Sequence, residues 1–368
     1  MLPLTFTTKR AFNFNAGPSA LPLEVLQKAQ AELVDFQGTG MSVMELSHRS
    51  ATFEAVHNEA IARLRKLFEI PENYEVLFLQ GGASLQFTMI PMNFLQEGKK
   101  ASYIQTGAWS EKALKEAKLF GTPVEAASTK ENNYKNIPAV ADITIDPEAA
   151  YVHLTSNNTI FGTQWKTFPT TGDIPLIADM SSDILSKKVD VSNFAMIYAG
   201  AQKNLGPSGV TVVIARKDFL ETANTNIPTM LQYATHVKNN SLYNTPPTFG
   251  IYMLGEVLKW VEEQGGLDVI EKRNEEKAGF IYDVIDSSNG FYYGHATEDS
   301  RSLMNITFRV ADEELEKKFL AEAKEAGFVG LNGHRSVGGC RASAYNSVPV
   351  EACKALADFM VKFQQDNQ

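Results

Sequence analysis

Short apolar runs recur along the chain, each bounded by glycine, proline or polar residues. Between them lie stretches whose apolar residues fall at three- and four-residue spacing. The strand-like runs are Tyr74–Leu79, Lys100–Ile104, Ala150–Leu154, Pro175–Asp179, Phe194–Lys203 and Gly209–Ala215. The helical spacing falls at Pro22–Leu33, Thr52–Phe68, Leu85–Phe94 and Ser110–Leu119. Strands alternating with helices predict an α/β fold with a large, mainly parallel sheet covered on both faces. The runs ending at Lys203 and starting at Gly209 are joined too tightly for a crossover, so this pair is expected to be antiparallel and the sheet mixed.

From Val257-Leu-Lys-Trp260 through Ile281 the spacing reads as one long helix, broken around Gly265-Gly266. The character then changes. Phe291-Tyr-Tyr293 and Met304–Val310 read as strands, and Glu313–Gly327 and Pro349–Gln365 as helices, giving a smaller α+β C-terminal domain of about 100 residues. The expected organisation is a large domain over 26–270 and a small domain over 271–368, which the segment 11–25 joins. Met1 to Arg10 carry no start signal for structure and are expected to form a partly disordered extension.

Composition narrows the function. With 368 residues, 44% hydrophobic and 21% charged, the chain has the make-up of a globular protein. A net charge of -9 argues against nucleic-acid or anionic-membrane binding, so an anionic substrate would need a local basic cluster. Only Cys340 and Cys353 occur, which excludes a disulfide framework, indicates no metal site and suits a reducing cytoplasm. No apolar run approaches the roughly 18 residues that span a membrane.

The candidate chemistry centres on Lys203 and on Asp179, which ends a similar apolar run 24 residues earlier. A lysine amine forms a Schiff base with an aldehyde, and a carboxylate on a neighbouring strand keeps a pyridine nitrogen protonated, so the pair reads as a pyridoxal phosphate site. Gly81-Gly-Ala-Ser84, between a strand and a helix, offers unpaired N–H groups to a phosphate, and Gln202 can add a donor. Trp109, read as lying in a loop after a strand, can stack on a ring, and Thr155 is expected at the same sheet edge as Asp179 and Lys203. Two His-Arg pairs, His48-Arg49 and His334-Arg335, lie in loops, the second with Arg341 in the glycine-rich stretch Gly333–Ser343. They supply the basic cluster that the overall charge demands.

Taken together, these motifs resemble the phosphoserine aminotransferase family, class-V aminotransferases with the fold type I architecture of pyridoxal phosphate enzymes. The likeness runs from Phe12–Ser19 through Met44–Arg49, Phe78–Phe87, Ala199–Pro207 and Tyr243–Pro247 to Gly333–Ser343. The resemblance implies a cytoplasmic homodimer with shared active sites and one pyridoxal 5'-phosphate per subunit. Lys203 would carry the cofactor, Asp179 pair with its ring nitrogen, Trp109 stack on the ring and Thr155 lie near the phenolic oxygen. Ala83, Ser84 and Gln202 would hold the phosphate, with Asn244 and Thr245 reaching in from the partner subunit. Arg341 would take the substrate α-carboxylate, with Ser19 nearby, while His334 and Arg335 join His48 and Arg49 of the partner subunit on the distal anion.

The implied reaction moves the amino group of L-glutamate to 3-phosphooxypyruvate, giving O-phospho-L-serine and 2-oxoglutarate for L-serine biosynthesis. 4-Phosphohydroxy-L-threonine, from pyridoxine biosynthesis, is a second candidate substrate. A cysteine desulfurase or an alanine–glyoxylate type aminotransferase is the nearest rival. The first needs a reactive cysteine on a mobile loop, and the second has little use for two His-Arg pairs. A binding protein that kept the fold without activity is the remaining alternative, and it leaves the lysine, aspartate and glycine turn unexplained.

Overall fold

A computed structural model describes residues 10–368, so the expectation for Met1–Lys9 lies outside the described residues. Seven strands form the large sheet: β1 (Tyr74–Leu79), β2 (Lys100–Gln105), β3 (Thr122–Ser128), β4 (Ala149–Thr155), β5 (Leu176–Asp179), β6 (Met196–Gly200) and β7 (Thr211–Arg216). Their order across the sheet is β1-β7-β6-β5-β4-β2-β3. Only β7 runs antiparallel to its neighbours, β1 and β6, and the other pairs are parallel. Val212, Val213 and Ile214 of β7 and Met196, Ile197 and Tyr198 of β6 are wholly buried, as continuous apolar strands covered on both faces require.

β3 is a strand that apolar patterning missed. It lies at the sheet edge against β2 alone, and of its seven residues only Ala126 is buried. A proline at position 123 and a mostly wet surface are what an edge strand tolerates, and both erase the run that marks a central one.

Helices flank the sheet. Ala51–Leu67 and Thr248–Glu263 pack against each other, and Leu267–Ser287 leads out of the large sheet. The long helix thus begins nine residues before the expected Val257 and is divided at Gly265 and Gly266, whose φ angles of 103° and 77° suit glycine.

A three-stranded antiparallel sheet, Tyr292–Gly294, Asn305–Val310 and Cys340–Ser343, packs with helices Glu313–Glu325 and Val350–Asn367. Cys340–Ser343 is a strand that apolar patterning missed, because its four residues pair with Asn305–Phe308 while neighbouring glycines hide the pattern. The buried apolar residues divide accordingly. Two clusters enclose the large sheet between Val25 and Ile270, and a third joins Phe14 and Ala20 to residues 278–363.

Register sets up the site. Thr155 pairs with Asp179 and Asp179 with Tyr198, so the carboxyl ends of β4, β5 and β6 lie side by side. Thr211 at the start of β7 pairs with both Leu79 and Gly200, bringing the turns after β1 and β6 to the same edge. Ligands of open α/β sheets gather at this edge because loops and helix N-termini converge there.

Candidate active site

Beyond Gly200 the chain turns tightly, with the N–H groups of Leu205 and Gly206 both donating to the carbonyl of Ala201. Lys203 stands on this turn, just past the strand end. Its backbone is pinned by Ser19, whose hydroxyl donates to the Lys203 carbonyl at 2.6 Å and whose N–H donates to the Gln202 carbonyl at 3.0 Å. Its amine donates to Thr159 Oγ1 at 2.9 Å. Burial pulls the Lys203 amine down to about 8 against the upward pull of Asp179, and the Arg341 charge adds to the lowering. The neutral, nucleophilic fraction of the lysine therefore grows as pH rises through about 8, well below the ordinary lysine range.

Asp179, buried at the end of β5, accepts the Ser181 N–H at 2.9 Å through Oδ1. Burial raises its carboxyl above the usual range, while Ser181 and then the Lys203 charge oppose the rise. A carboxylate placed here gains much from a cationic ligand. Behind it Asp183, pushed up to about 6 by burial, accepts from Ser156 Oγ and from Gln164 Nε2, which makes it a structural link rather than a second open carboxylate.

These groups face a cavity of about 270 Å³. One wall is the N-terminus of helix Gly82–Phe94, with Ala83 and Ser84 in its first turn. Gly81 enters this helix at φ 89°, and a Cβ there would lie 2.5 Å from Leu85 Cδ2, so only glycine fits. The first N–H groups of the helix have no intrahelical acceptor and suit a phosphate.

Trp109, also on the cavity lining, lies in the first turn of helix Ala108–Ala117 and not in a loop. Ser110 Oγ accepts the N–H groups of Thr106 and Gly107, which starts the helix earlier than apolar spacing indicated. The Lys203 amine is 5.9 Å from the Trp109 ring centroid, and Lys112 lies over the ring at 4.2 Å. Three buried polar atoms here have no partner among the described residues: Thr155 Oγ1, Trp109 Nε1 and Arg341 Nε. Buried polar groups are seldom left unpaired, so these atoms call for a ligand. An aromatic ring bearing an aldehyde, a phenolic oxygen, a ring nitrogen and a phosphate matches the donors and acceptors present, so the residues fit pyridoxal phosphate.

Of the residues singled out from sequence, Ala83, Ser84, Trp109, Thr155, Asp179, Gln202, Lys203, His334 and Arg341 line this cavity. Ser19 reaches it through its bonds to the Lys203 turn. Arg341 extends from a strand and donates through Nη1 to the Thr159 carbonyl at 3.2 Å. His334 is held below its usual range by partial burial and by the Arg341, Arg335 and Lys112 charges, and its Nδ1 lies 2.6 Å from Ser336 Oγ. Arg335 is exposed beside it and does not line the cavity.

His48, Arg49, Asn244 and Thr245 lie outside this chain's cavity. The first pair precedes helix Ala51–Leu67, and Asn244 Nδ2 donates to Gln80 Oε1 at 3.1 Å. Thr159, Ser181, Asn157 and Gly17 were not anticipated. The polar runs Ser156–Thr159, directly after one strand, and Ser181-Ser182, one residue beyond another, carried a usable signal for the first three. Gly17 gave none, since its importance is the approach of the Lys203 side chain, 3.5 Å from a Cβ placed there. Cys340 and Cys353 are both fully buried, and burial raises both thiols, Cys353 to about 12, so neither offers the exposed thiolate of a desulfurase.

Comparison with known proteins agrees with this chemistry. The family model described as aminotransferase class-V matches residues 11–356. The chain is 76% identical over 361 residues to the phosphoserine aminotransferase of Lysinibacillus sphaericus (strain C3-41), covering 98% of this chain and 100% of that protein. It is 62% identical to the one from Bacillus subtilis (strain 168) over 360 residues, again 98% and 100% of the two chains. Among solved structures, the phosphoserine aminotransferase of Bacillus circulans subsp. alkalophilus superposes with a TM-score of 0.97 at 61% identity, covering 98% and 100%. The pyridoxal phosphate-bound phosphoserine aminotransferase of Trichomonas vaginalis gives 0.91 at 42% identity, covering 96% and 100%.

Proposed function

The chain belongs to the aminotransferase class-V family and is a pyridoxal phosphate-dependent transaminase, and we propose that it moves the amino group of L-glutamate to 3-phosphooxypyruvate. The products are O-phospho-L-serine, a precursor in L-serine biosynthesis, and 2-oxoglutarate. The observation that carries this reading is the cavity itself, whose lining joins Lys203 and Asp179 with a helix N-terminus and with Arg341. When bound, the cofactor supplies an electron sink for the carbanion formed at the substrate Cα.

The chain's residues divide the remaining work. Lys203 Nζ would accept the proton from Cα, and its lowered value leaves more of the amine in the neutral form that can accept it. Asp179 would keep the ring nitrogen protonated. Ala83, Ser84 and Gln202 would hold the cofactor phosphate, Trp109 would meet the ring and Thr155 would serve the phenolic oxygen. Arg341 takes the α-carboxylate, with Ser19 fixing the Lys203 turn beside it. His334 and Arg335 receive the distal anion, the γ-carboxylate in one half-reaction and the phosphate ester in the other.

The same reading makes the protein a homodimer. His48, Arg49, Asn244 and Thr245 of the partner subunit would complete the distal-anion and phosphate sites, because these residues lie outside their own chain's cavity. Met41, Met44 and Tyr243, near these positions in sequence, are large apolar residues left exposed, as an interface requires. The division of the apolar clusters, with Phe14 and Ala20 joined to residues 278–363, supports domains over 26–270 and over 271–368 with 11–25. The two unpaired thiols accord with a cytoplasmic location, and 4-phosphohydroxy-L-threonine remains a second candidate substrate.

A steady-state assay of L-glutamate against a panel of 2-oxo acids tests the reading. 3-Phosphooxypyruvate should exceed pyruvate and glyoxylate in kcat/KM by about 100-fold, and equal use of all three would refute it. Arg335→Ala should cut kcat/KM for O-phospho-L-serine by about 10- to 100-fold, as expected for loss of a charge-assisted contact, and leave the donor L-alanine nearly unaffected. Equal losses for both donors would remove Arg335 from the phosphate site.

The Lys203 amine sets a pH dependence. Since the neutral amine attacks the aldehyde and its value is lowered to about 8, capture of pyridoxal phosphate by cofactor-free protein should accelerate from pH 7 to 9 and level off above. Stopped-flow absorbance measures this, and a midpoint at the ordinary lysine value would show that burial does not act on the amine.

A further inference from the structure

Tyr345 is a fully buried residue just beyond the strand that carries Arg341, and the reaction gives it no part. Its hydroxyl donates to the carbonyl of Ala16 at 2.7 Å and accepts from Asn305 Nδ2 at 3.1 Å. Ala16 and Gly17 line the cavity, and a Cβ placed on Gly17 would touch the Lys203 side chain. The same phenol lies close to Thr159, Ser343 and the Arg341 charge. Thr159 in turn receives the Lys203 amine at its hydroxyl and the Arg341 guanidinium at its carbonyl.

The support behind Tyr345 is equally specific. Lys277, buried in helix Leu267–Ser287, donates to the carbonyls of Ala344 and Tyr345 at 3.0 and 2.7 Å, which fixes the backbone that presents the phenol. Asn305 also donates to Ser343 Oγ and accepts from Asn157, a residue of the cavity wall. A buried ammonium and a buried amide are costly unless bonded; here the amide of Asn305 bonds this hydroxyl, and the ammonium of Lys277 bonds the backbone that carries it.

We propose that Tyr345 is a positioning residue for the substrate α-carboxylate, holding the Ala16–Gly17 backbone and the Arg341 guanidinium at a set separation across the cavity. This inference rests on the assignment of Arg341 to that carboxylate. Every amino and oxo acid the enzyme handles presents the same α-carboxylate, so Tyr345 acts on all substrates alike, whereas Arg335 acts on those with a phosphate.

The test compares Tyr345→Phe with Arg335→Ala on two donors, O-phospho-L-serine and L-alanine, using the cofactor absorbance of the holoenzyme in single turnovers. Tyr345→Phe should raise the half-saturating concentration of both donors by the same factor, about tenfold, with the limiting rate within about twofold and the spectrum before substrate unchanged. Lys277→Met, which leaves the phenol but frees its backbone, should weaken both donors in the same ratio. The inference is overturned if Tyr345→Phe weakens only O-phospho-L-serine, or lowers the limiting rate and the unfolding temperature while affinity stays constant. Should the wild type convert neither donor, the transaminase reading itself fails, and a simple loss on substitution of Tyr345 cannot be mistaken for that outcome.

Discussion

Lys203→Ala is expected to reduce transamination by about 10⁴-fold or more, since one substitution removes both the group that holds the cofactor's aldehyde and the base that moves the Cα proton. The folded protein should survive. Lys203 makes one side-chain hydrogen bond, to Thr159, while its backbone contacts to Ser19 do not depend on the side chain. Its removal also relieves a buried amine of its desolvation cost. The measurement is borohydride reduction of the purified protein followed by intact mass. Wild type should gain the mass of the reduced cofactor, and the variant should gain nothing while still binding pyridoxal phosphate reversibly through the helix N-terminus at Gly82–Ser84. Retention of covalent cofactor in the variant would assign the linkage to another lysine.

Asp179→Asn should lower kcat by about 10²- to 10³-fold, the usual loss when a preorganised charge facing the reacting system is neutralised. Asparagine has nearly the same shape and keeps an oxygen to accept the Ser181 N–H, so the geometry should hold. Stability should not fall. Burial raises the Asp179 carboxyl above its usual range, meaning that folding disfavours the ionised form in the cofactor-free chain. For a carboxylate with a raised value, the destabilisation is present above the folded value and is lost as pH falls through it. The cofactor-free variant should therefore unfold at the same temperature as wild type or higher at neutral pH. Calorimetry with and without cofactor separates the two effects: the variant should lose part of the stabilisation that cofactor gives wild type. A kcat within tenfold of wild type would refute the role of Asp179.

Much of this site was legible in the chain because its groups lie at the ends of strands. Asp179 and Lys203 end apolar runs, and Thr155 follows another, so period and punctuation alone put them at one sheet edge. The Gly81–Ser84 turn was legible because strand, glycine and helix occur in that order. β3 was not, since an edge strand buries one residue in seven and leaves no apolar run to see. Trp109 was placed in a loop because the helix start is made by Ser110, a bond that apolar spacing cannot register. The strand Cys340–Ser343 was hidden because its reason to be extended is its partner at Asn305–Phe308.

The sequence by itself determined the class of fold, the lysine–aspartate pair and the basic residues that an anionic substrate demands, because each is set by local period or by side-chain chemistry. Only the tertiary structure decided which of those residues share a cavity. It separated Arg341 and His334, which line the cavity, from His48 and Arg49, which do not. It also joined Tyr345, Asn305 and Lys277, far apart in the chain, into the support behind Ala16 and Arg341. The physical reason is that a buried polar group is defined by its partner, and partners brought together by strand register and domain packing leave no mark in local spacing.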